Sequence, residues 1–239
     1  MKFIHTADIH LGAEPDAGSS YTAKRPEELW NSFERLLNIC EEEQTDLLLI
    51  AGDLFHRQPL LRELKELDYL FSRLTHTQVV LIAGNHDYLK STSYYRNYKW
   101  QGPVHMFLSQ KPACMEFKEL GVRIYGLSYE EREITEPLYE KILPEKRGIA
   151  SILLAHGGDE KHIPFRKNEL LKLGYDYIAL GHIHLPAELA RTGCITQDPW
   201  SLQIKMTPGS MVISKGRLKM EEPGRNLFLL HPENMCIWK

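Results

Sequence analysis

Little in this chain suits an oxidised, membrane-bound or fibrous protein. Its four cysteines (Cys40, Cys114, Cys194 and Cys236) are scattered through 239 residues with no pair at metal-binding or redox spacing, so they read as reduced structural thiols. No apolar run outlasts that of residues 47–51, far short of the roughly 20 residues that span a bilayer. A histidine and an aspartate stand too close to the start for a signal peptide, at His5 and Asp8. Neither sign of charge dominates, with 29 Lys and Arg against 32 Asp and Glu. That balance gives no global attraction to nucleic acid, although bound dications would reverse it wherever a phosphate must sit. No repeat, low-complexity stretch or Pro/Gly-rich linker divides the sequence. What remains is a cytoplasmic chain with no membrane partner, read as one domain over 1–239, a length at which α/β domains need not split.

What is present is an alternation of short apolar runs with amphipathic ones. Segments 2–5, 46–51, 78–83, 122–127, 151–155 and 177–180 read as buried strands. Leu29, Trp30, Phe33, Leu36, Leu37 and Cys40 recur at helical spacing. Pro26-Glu27-Glu28 precedes them, setting proline in the first turn and acids at the positive end of the dipole. Leu60, Leu64, Leu67, Leu70, Phe71 and Leu74 mark a second helix. Strand–helix–strand order predicts an α/β fold with a largely parallel sheet. Past Leu180 the pattern becomes short strands and turns ending in 226–230, which predicts a second, more antiparallel sheet packed on the first.

Five clusters of metal-binding residue types stand out, nearly all directly after an apolar strand. In such sheets the carboxyl ends of strands gather ligands at one rim. Asp8-Ile9-His10 comes first, where i and i+2 of an extended segment point the same way and can grip one cation. Gly52-Asp53-Leu54-Phe55-His56 follows 47–51; its carboxylate can bridge two metals, and its glycine admits close backbone approach. Gly84-Asn85-His86-Asp87 offers a neutral amide ligand beside an imidazole free for proton chemistry. His156 precedes Gly157-Gly158, and Gly181-His182-Ile183-His184 supplies another i, i+2 pair. Singly, each histidine is more often a surface or hydrogen-bonded residue, and Asp53 or Asp87 alone could cap a helix or form a turn. All five clusters after strands, with only N and O donors, point to a metal centre instead. His5, His76, His105, His162 and His231 lie outside the clusters and read as structural.

Taken together, these motifs resemble the calcineurin-like metallophosphoesterase superfamily. The Leu-Phe-His ending of the second motif is similar to that of SbcD-type DNA repair nucleases. Protein phosphatases would show Asp-Arg-Gly there and Glu after the Asn-His pair. Tyr125-Gly126-Leu127-Ser128-Tyr129, the stretch 170–177, Pro208-Gly209-Ser210 and Pro223-Gly224-Arg225-Asn226 also fit. The resemblance implies a four-layer sandwich of two mixed β-sheets flanked by helices. It implies one metal at Asp8, His10, Asp53 and His184, and a second at Asp53, Asn85, His156 and His182. His86 would protonate or stabilise the leaving oxygen, and His56 would contact the substrate phosphate. N and O donors without thiolate, several of them imidazole, favour Mn²⁺ over Mg²⁺, and two such ions clamp both sides of an in-line displacement. Family members usually continue into a DNA-capping domain and a segment that docks an SbcC-type ATPase. Ending at Lys239, the sequence leaves both, and that partnership, unsupported.

Three functions follow from this pattern. One is a Mn²⁺-dependent DNA exonuclease or endonuclease of repair, a hydrolase with DNA as partner. Another is a two-metal phosphoesterase for a small nucleotide or other small phosphodiester. The third, a metal-free scaffold, would show broken ligand motifs, yet all seven ligand positions are filled. Tyr94, Tyr95, Tyr98 and Trp100, interleaved with Arg96 and Lys99, fit either a stacking platform for bases or core and dimer interface. The resemblance favours the latter, and with it a homodimer through 60–74 and 94–100. Lys161, Arg166, Lys167, Lys215, Arg217 and Lys219 are candidate phosphate contacts among residues that otherwise read as solvated surface.

Overall fold

The computed structural model describes residues 1–14, 24–145, 148–182, 212–219 and 228–229. Alternation along the central strands decides the layering. Every residue of β2 (Leu47–Ala51) is buried, so both its faces must be covered. Leu48 and Ile50 enter one apolar cluster, whereas Leu47, Leu49 and Ala51 enter another. β1 (Lys2–Ala7) and β3 (Gln78–Ile82) split likewise, with Ile4, Val79 and Leu81 on the first side and Phe3, Val80 and Ile82 on the second.

The first cluster is closed by α1 (Arg25–Glu42) and α2 (Leu61–Phe71), through Leu29, Phe33, Leu36 and Leu37 of one and Leu64, Leu67 and Phe71 of the other. Burying each such side chain stabilises the fold by about 1.5–3 kcal/mol. Pro26 and the acids Glu27 and Glu28 occupy the first turn of α1, as its sequence predicts. The second cluster is closed by another sheet, through Val122, Ile124, Ile152 and Leu154. That sheet's outer face carries Tyr125, Leu153 and Ala155 against Tyr139, Ile163 and Leu170, the last from α3 (Lys167–Lys172). Helices, sheet, sheet and an outer helical layer make the four-layer α/β sandwich.

Both sheets are mixed. The first runs β10-β9-β1-β2-β3-β4. Its strands β1, β2, β3 and β4 (Val104–Met106) are parallel, and β9 (Val212–Lys219) and β10 (Phe228–Leu229) are added antiparallel. The second runs β5 (Ala113–Phe117), β6 (Val122–Gly126), β7 (Ala150–His156) and β8 (Tyr177–Gly181), with only β5 antiparallel. No separate capping domain stands among the described residues.

The structure corrects three expectations. The second sheet is built before residue 181 rather than after 180, and it is mostly parallel. The strands that come later join the first sheet instead, β9 pairing with β1. β4 and β5 escaped notice because neither is a continuous apolar run; β5 is largely exposed. Leu60 precedes α2 and is exposed, since the chain enters the helix there and the backbone N–H of Leu60 is capped by Glu63 at 2.7 Å. Among the described residues no helix is long and apolar enough to cross a membrane.

Candidate metal centre

β1, β2, β3, β7 and β8 deliver their carboxyl ends to one rim, where the two sheets face each other. The loops there are stitched side by side. Asp8 N donates to Gly52 O (3.1 Å), His10 N to Asp53 O (3.0 Å), Leu11 N to Leu54 O (2.8 Å) and His56 N to Leu11 O (3.1 Å). This ladder holds the first and second motifs together and departs from the extended arrangement expected for Asp8-Ile9-His10. Both Asp8 and His10 take left-handed backbone, at φ 54° and 52°. The third motif is tied in by His86 N, which donates to Asp53 Oδ1 at 2.9 Å. Asp87 binds it further, accepting from Gly84 N (2.9 Å), Phe55 N (3.2 Å) and Tyr95 Oη (3.2 Å). Burial, then the charge of Asp53, pushes the Asp87 carboxyl up to about 7.

Four side chains converge on one point. His156 Nδ1 donates to Ala51 O at 2.8 Å, leaving Nε2 aimed at Asn85 Oδ1 (2.9 Å) and Asp53 Oδ2 (3.4 Å). His182 Nδ1 reaches the same Asn85 oxygen at 3.1 Å, while its Nε2 donates to Asp159 Oδ2 at 2.7 Å. With those tautomers, two imidazole lone pairs and a carboxylate face an amide oxygen, an arrangement of acceptors that a cation would satisfy. The distances fit that reading. Two donors about 2.1 Å from one ion stand about 3.0 Å apart across an octahedral edge and about 3.4 Å across a tetrahedral one. Asp53 Oδ2 is buried and makes no hydrogen bond among the described residues.

Electrostatics point the same way. Burial lowers the affinity of His156 for a proton, but the charge of Asp53 outweighs it and lifts the imidazole to about 9. Burial pushes Asp53 up in turn, and the charge of His156 holds it below the usual carboxylate range. The centre therefore demands positive charge.

A second pocket shares Asp53. Ligand atoms of Asp8, His10 and Asp53 lie within 4.8 Å of one another, all three residues buried. Asp8 Oδ2 also accepts the His182 backbone N–H at 2.8 Å, which draws the two pockets together. Beside them, His10, His56 and His86 bring one nitrogen each within 4.8 Å. His86 Nδ1 donates to His56 O at 2.9 Å, so its Nε2 remains the basic nitrogen. His56 is exposed, and burial followed by the charge of His86 lowers its proton affinity.

Backbone strain concentrates here. Six described non-glycine residues have positive φ, and four of them are Asp8, His10, Asp53 (50°) and His182 (92°). Each such residue costs of order 1–3 kcal/mol, a cost tolerated where ligands must be aimed. Gly52 is required by contact as well as by its φ of +88°, since a Cβ there would stand 2.4 Å from His156 Nδ1. At Gly84 a Cβ would meet Asp53 Oδ1 at 2.2 Å.

The structure thus brings together Asp8, His10, Asp53, Asn85, His156 and His182, with His56 and His86 alongside. His184, His231, Cys194, Cys236, Pro208-Gly209-Ser210 and Pro223-Gly224-Arg225-Asn226 lie outside the described residues. The aromatic segment is mostly core. Tyr95 is fully buried, Tyr98 donates to Asp68 Oδ2 (3.1 Å), and Trp100 packs on Phe71 and Tyr98. Only Tyr94 of the four aromatic residues is exposed, which removes the base-stacking platform. Lys161 pairs with Glu133 at 3.2 Å, while Lys215, Arg217 and Lys219 belong to β9.

Sequence reasoning missed the supports. Tyr139 Oη accepts from His156 N (2.7 Å) and donates to His156 O (2.7 Å), and Tyr129 Oη donates to the same carbonyl (2.9 Å). Asp159 holds His182, and His162, read as merely structural, holds Asp159. The one available signal was an acid three residues after a candidate ligand histidine, and it is weak.

The family model described as calcineurin-like phosphoesterase matches residues 1–186. Among curated proteins the chain is similar to an uncharacterized metallophosphoesterase, YhaO of Bacillus subtilis, at 34% identity over 203 residues, covering 77% of this chain and 48% of that one. It is similar also to DNA double-strand break repair proteins named Mre11. The identity is 27% over 208 residues in Methanopyrus kandleri, covering 78% of this chain and 45% of the relative. In Aeropyrum pernix it is 28% over 243 residues, covering 87% and 56%. The chain spans about half the length of these curated relatives.

Proposed function

The chain belongs to the calcineurin-like phosphoesterases, and from that premise we propose that it is a Mn²⁺-dependent two-metal phosphodiesterase acting on DNA. The observation that carries the metal part is the convergence of His156 Nε2 and His182 Nδ1 on Asn85 Oδ1, with Asp53 Oδ2 3.4 Å from His156 Nε2. Asp8, His10 and Asp53, with His184, are the residues for one ion; Asp53, Asn85, His156 and His182 are those for the other. Imidazole, carboxylate and amide donors without thiolate suit Mn²⁺. Bound there, two divalent ions supply an activated water and neutralise charge on the phosphate.

The remaining steps fall to this chain's own side chains. His86, fixed through Nδ1 to the His56 carbonyl, in its doubly protonated form turns Nε2–H to the leaving oxygen and gives up that proton. His56, exposed beside it, meets the phosphate. The DNA part rests on the Mre11 relatives, which are named for double-strand break repair, and on the Leu54-Phe55-His56 ending. A homodimer is part of the same reading, supported by the exposed Leu60, Leu61 and Tyr69 at and on α2 and by Tyr94. Light scattering at micromolar concentration tests it, and a strict monomer refutes it.

The test of function is incubation with Mn²⁺ and three substrates: single-stranded DNA, duplex DNA and bis-p-nitrophenyl phosphate. Cleavage of DNA at rates well above the diester is expected. Turnover of the diester alone would assign the centre to a small nucleotide or similar phosphodiester.

A further inference from the structure

Asp159 lies in none of the ligand motifs, yet its carboxylate is held more firmly than an ordinary surface acid. Lys161 N (2.8 Å) and His162 N (3.0 Å) donate to Oδ1, and His162 Nδ1 lies 2.8 Å from both carboxylate oxygens. So fixed, Oδ2 takes the Nε2–H of His182 at 2.7 Å. The His162 ring lies against the His182 ring, centroids 4.4 Å apart. One imidazole therefore has a carboxylate on one nitrogen and Asn85 Oδ1, at 3.1 Å, on the other.

We infer that Asp159 is a positioning residue, which locks His182 in the Nε2–H tautomer and so presents Nδ1 as a lone pair to the second metal. The inference rests on the reading of His182 as a ligand. Two effects follow from a carboxylate on the outer nitrogen of such a histidine. It fixes the ring and tautomer, and it makes the inner nitrogen more basic, together worth about 10–100-fold in metal affinity. The restraint matters more here because His182 sits at φ 92°, a strained backbone for a residue other than glycine. His162 braces the acid through Nδ1.

Asp159, His162 and His182 could themselves be taken for a metal site, since their ligand atoms gather within 4.8 Å. Such an ion would take the nitrogen of His182 that now carries the proton. The experiment separates the two cases.

Metal-free wild type, Asp159→Ala and Asp159→Asn are titrated with Mn²⁺ by calorimetry, with electron paramagnetic resonance counting bound ions. Wild type should bind two. Asp159→Ala should bind one undiminished and the other about 10–100-fold more weakly. Asp159→Asn keeps an acceptor for Nε2–H and should fall between. The Mn²⁺ concentration for half-maximal hydrolysis should rise by the same factor, while kcat recovers at saturating Mn²⁺. In metal-free protein the ring ¹⁵N signals of His182 should report one tautomer in wild type and a mixture in Asp159→Ala. If Asp159→Ala binds both ions as wild type does, loses both equally, or loses a third equivalent, the positioning role is overturned while the two-metal reading stands. If wild type takes up fewer than two ions, the ligand role of His182 falls, and this inference with it.

Discussion

Replacing His86 by Gln separates a proton donor from a ligand. Three imidazoles, His10, His56 and His86, bring nitrogens within 4.8 Å of one another, so proximity alone does not say which of them hold metal. The hydrogen bonds separate His86 from the proposed ligands. The backbone N–H of His86 supports Asp53 Oδ1, and glutamine keeps that bond. The side chain is anchored on the His56 carbonyl at 2.9 Å, which a glutamine amide can also reach. Metal should therefore stay, and only the titratable nitrogen is lost. A general acid contributes about 10²–10⁴-fold, equal to about 2.7–5.4 kcal/mol at the transition state. The defect should be large on DNA, whose leaving alkoxide needs a proton, and small on bis-p-nitrophenyl phosphate, whose leaving phenol is already acidic. Asn85→Ala is the contrasting variant: its oxygen lies between the two imidazole nitrogens of His156 and His182, so it should lose the second ion and fail on both substrates. Metal analysis after gel filtration, with rates on both substrates, reads the outcome. If His86→Gln sheds metal as Asn85→Ala does, or slows both substrates alike, His86 is not the acid.

Three further outcomes are expected. Gly52→Ala forces a Cβ to 2.4 Å from His156 Nδ1 at a φ of +88°, so it should destabilise the apo protein by roughly 2–4 kcal/mol in a urea titration and reduce bound Mn²⁺; unchanged stability would refute the close approach. His5, buried with Nδ1 3.2 Å from Tyr177 Oη, has its imidazole lowered to about 4 by burial. The unfolded chain takes that proton first, so the stability it contributes is complete above about pH 6.5 and is lost as pH falls to about 4, up to roughly 3 kcal/mol; denaturant melts of His5→Gln should be that much less sensitive to acid, and parallel pH curves would contradict it. DNA affinity should fall linearly against salt on log–log axes as phosphate contacts release counterions, whereas diester hydrolysis should respond far less; equal responses would favour a small substrate.

Strands β1, β2 and β3 of the first sheet were legible because they are buried on both faces and read as apolar runs. Val79 to Ile82 and Leu47 to Ala51 are wholly buried. β9 was not legible, since Lys215, Gly216, Arg217 and Lys219 interrupt any such run. Its placement beside β1 is a tertiary choice that local pattern does not carry. The motifs were legible for a different reason. A ligand must be a specific residue type at a specific strand end, and its glycine must be glycine, as the 2.4 Å and 2.2 Å approaches at Gly52 and Gly84 demand.

The supports lack that constraint, and this decides where sequence reading stops. His156 is fixed by a carbonyl of Ala51 and the phenols of Tyr129 and Tyr139, and any residue supplies a carbonyl. His182 is fixed by Asp159, an acid on a loop whose spacing from Gly181 follows from the fold. Ligand positions in such a centre are set by the ion, whose small radius tolerates few donor types and short distances. Supporting positions are set by the ligand's far nitrogen, which accepts any hydrogen-bond partner that geometry brings. The strain carried by Asp8, His10, Asp53 and His182 therefore has to be held by residues that leave no pattern in the sequence. On the proposed two-metal reading, the least predictable residues around the centre are the ones that set how tightly it grips its metals.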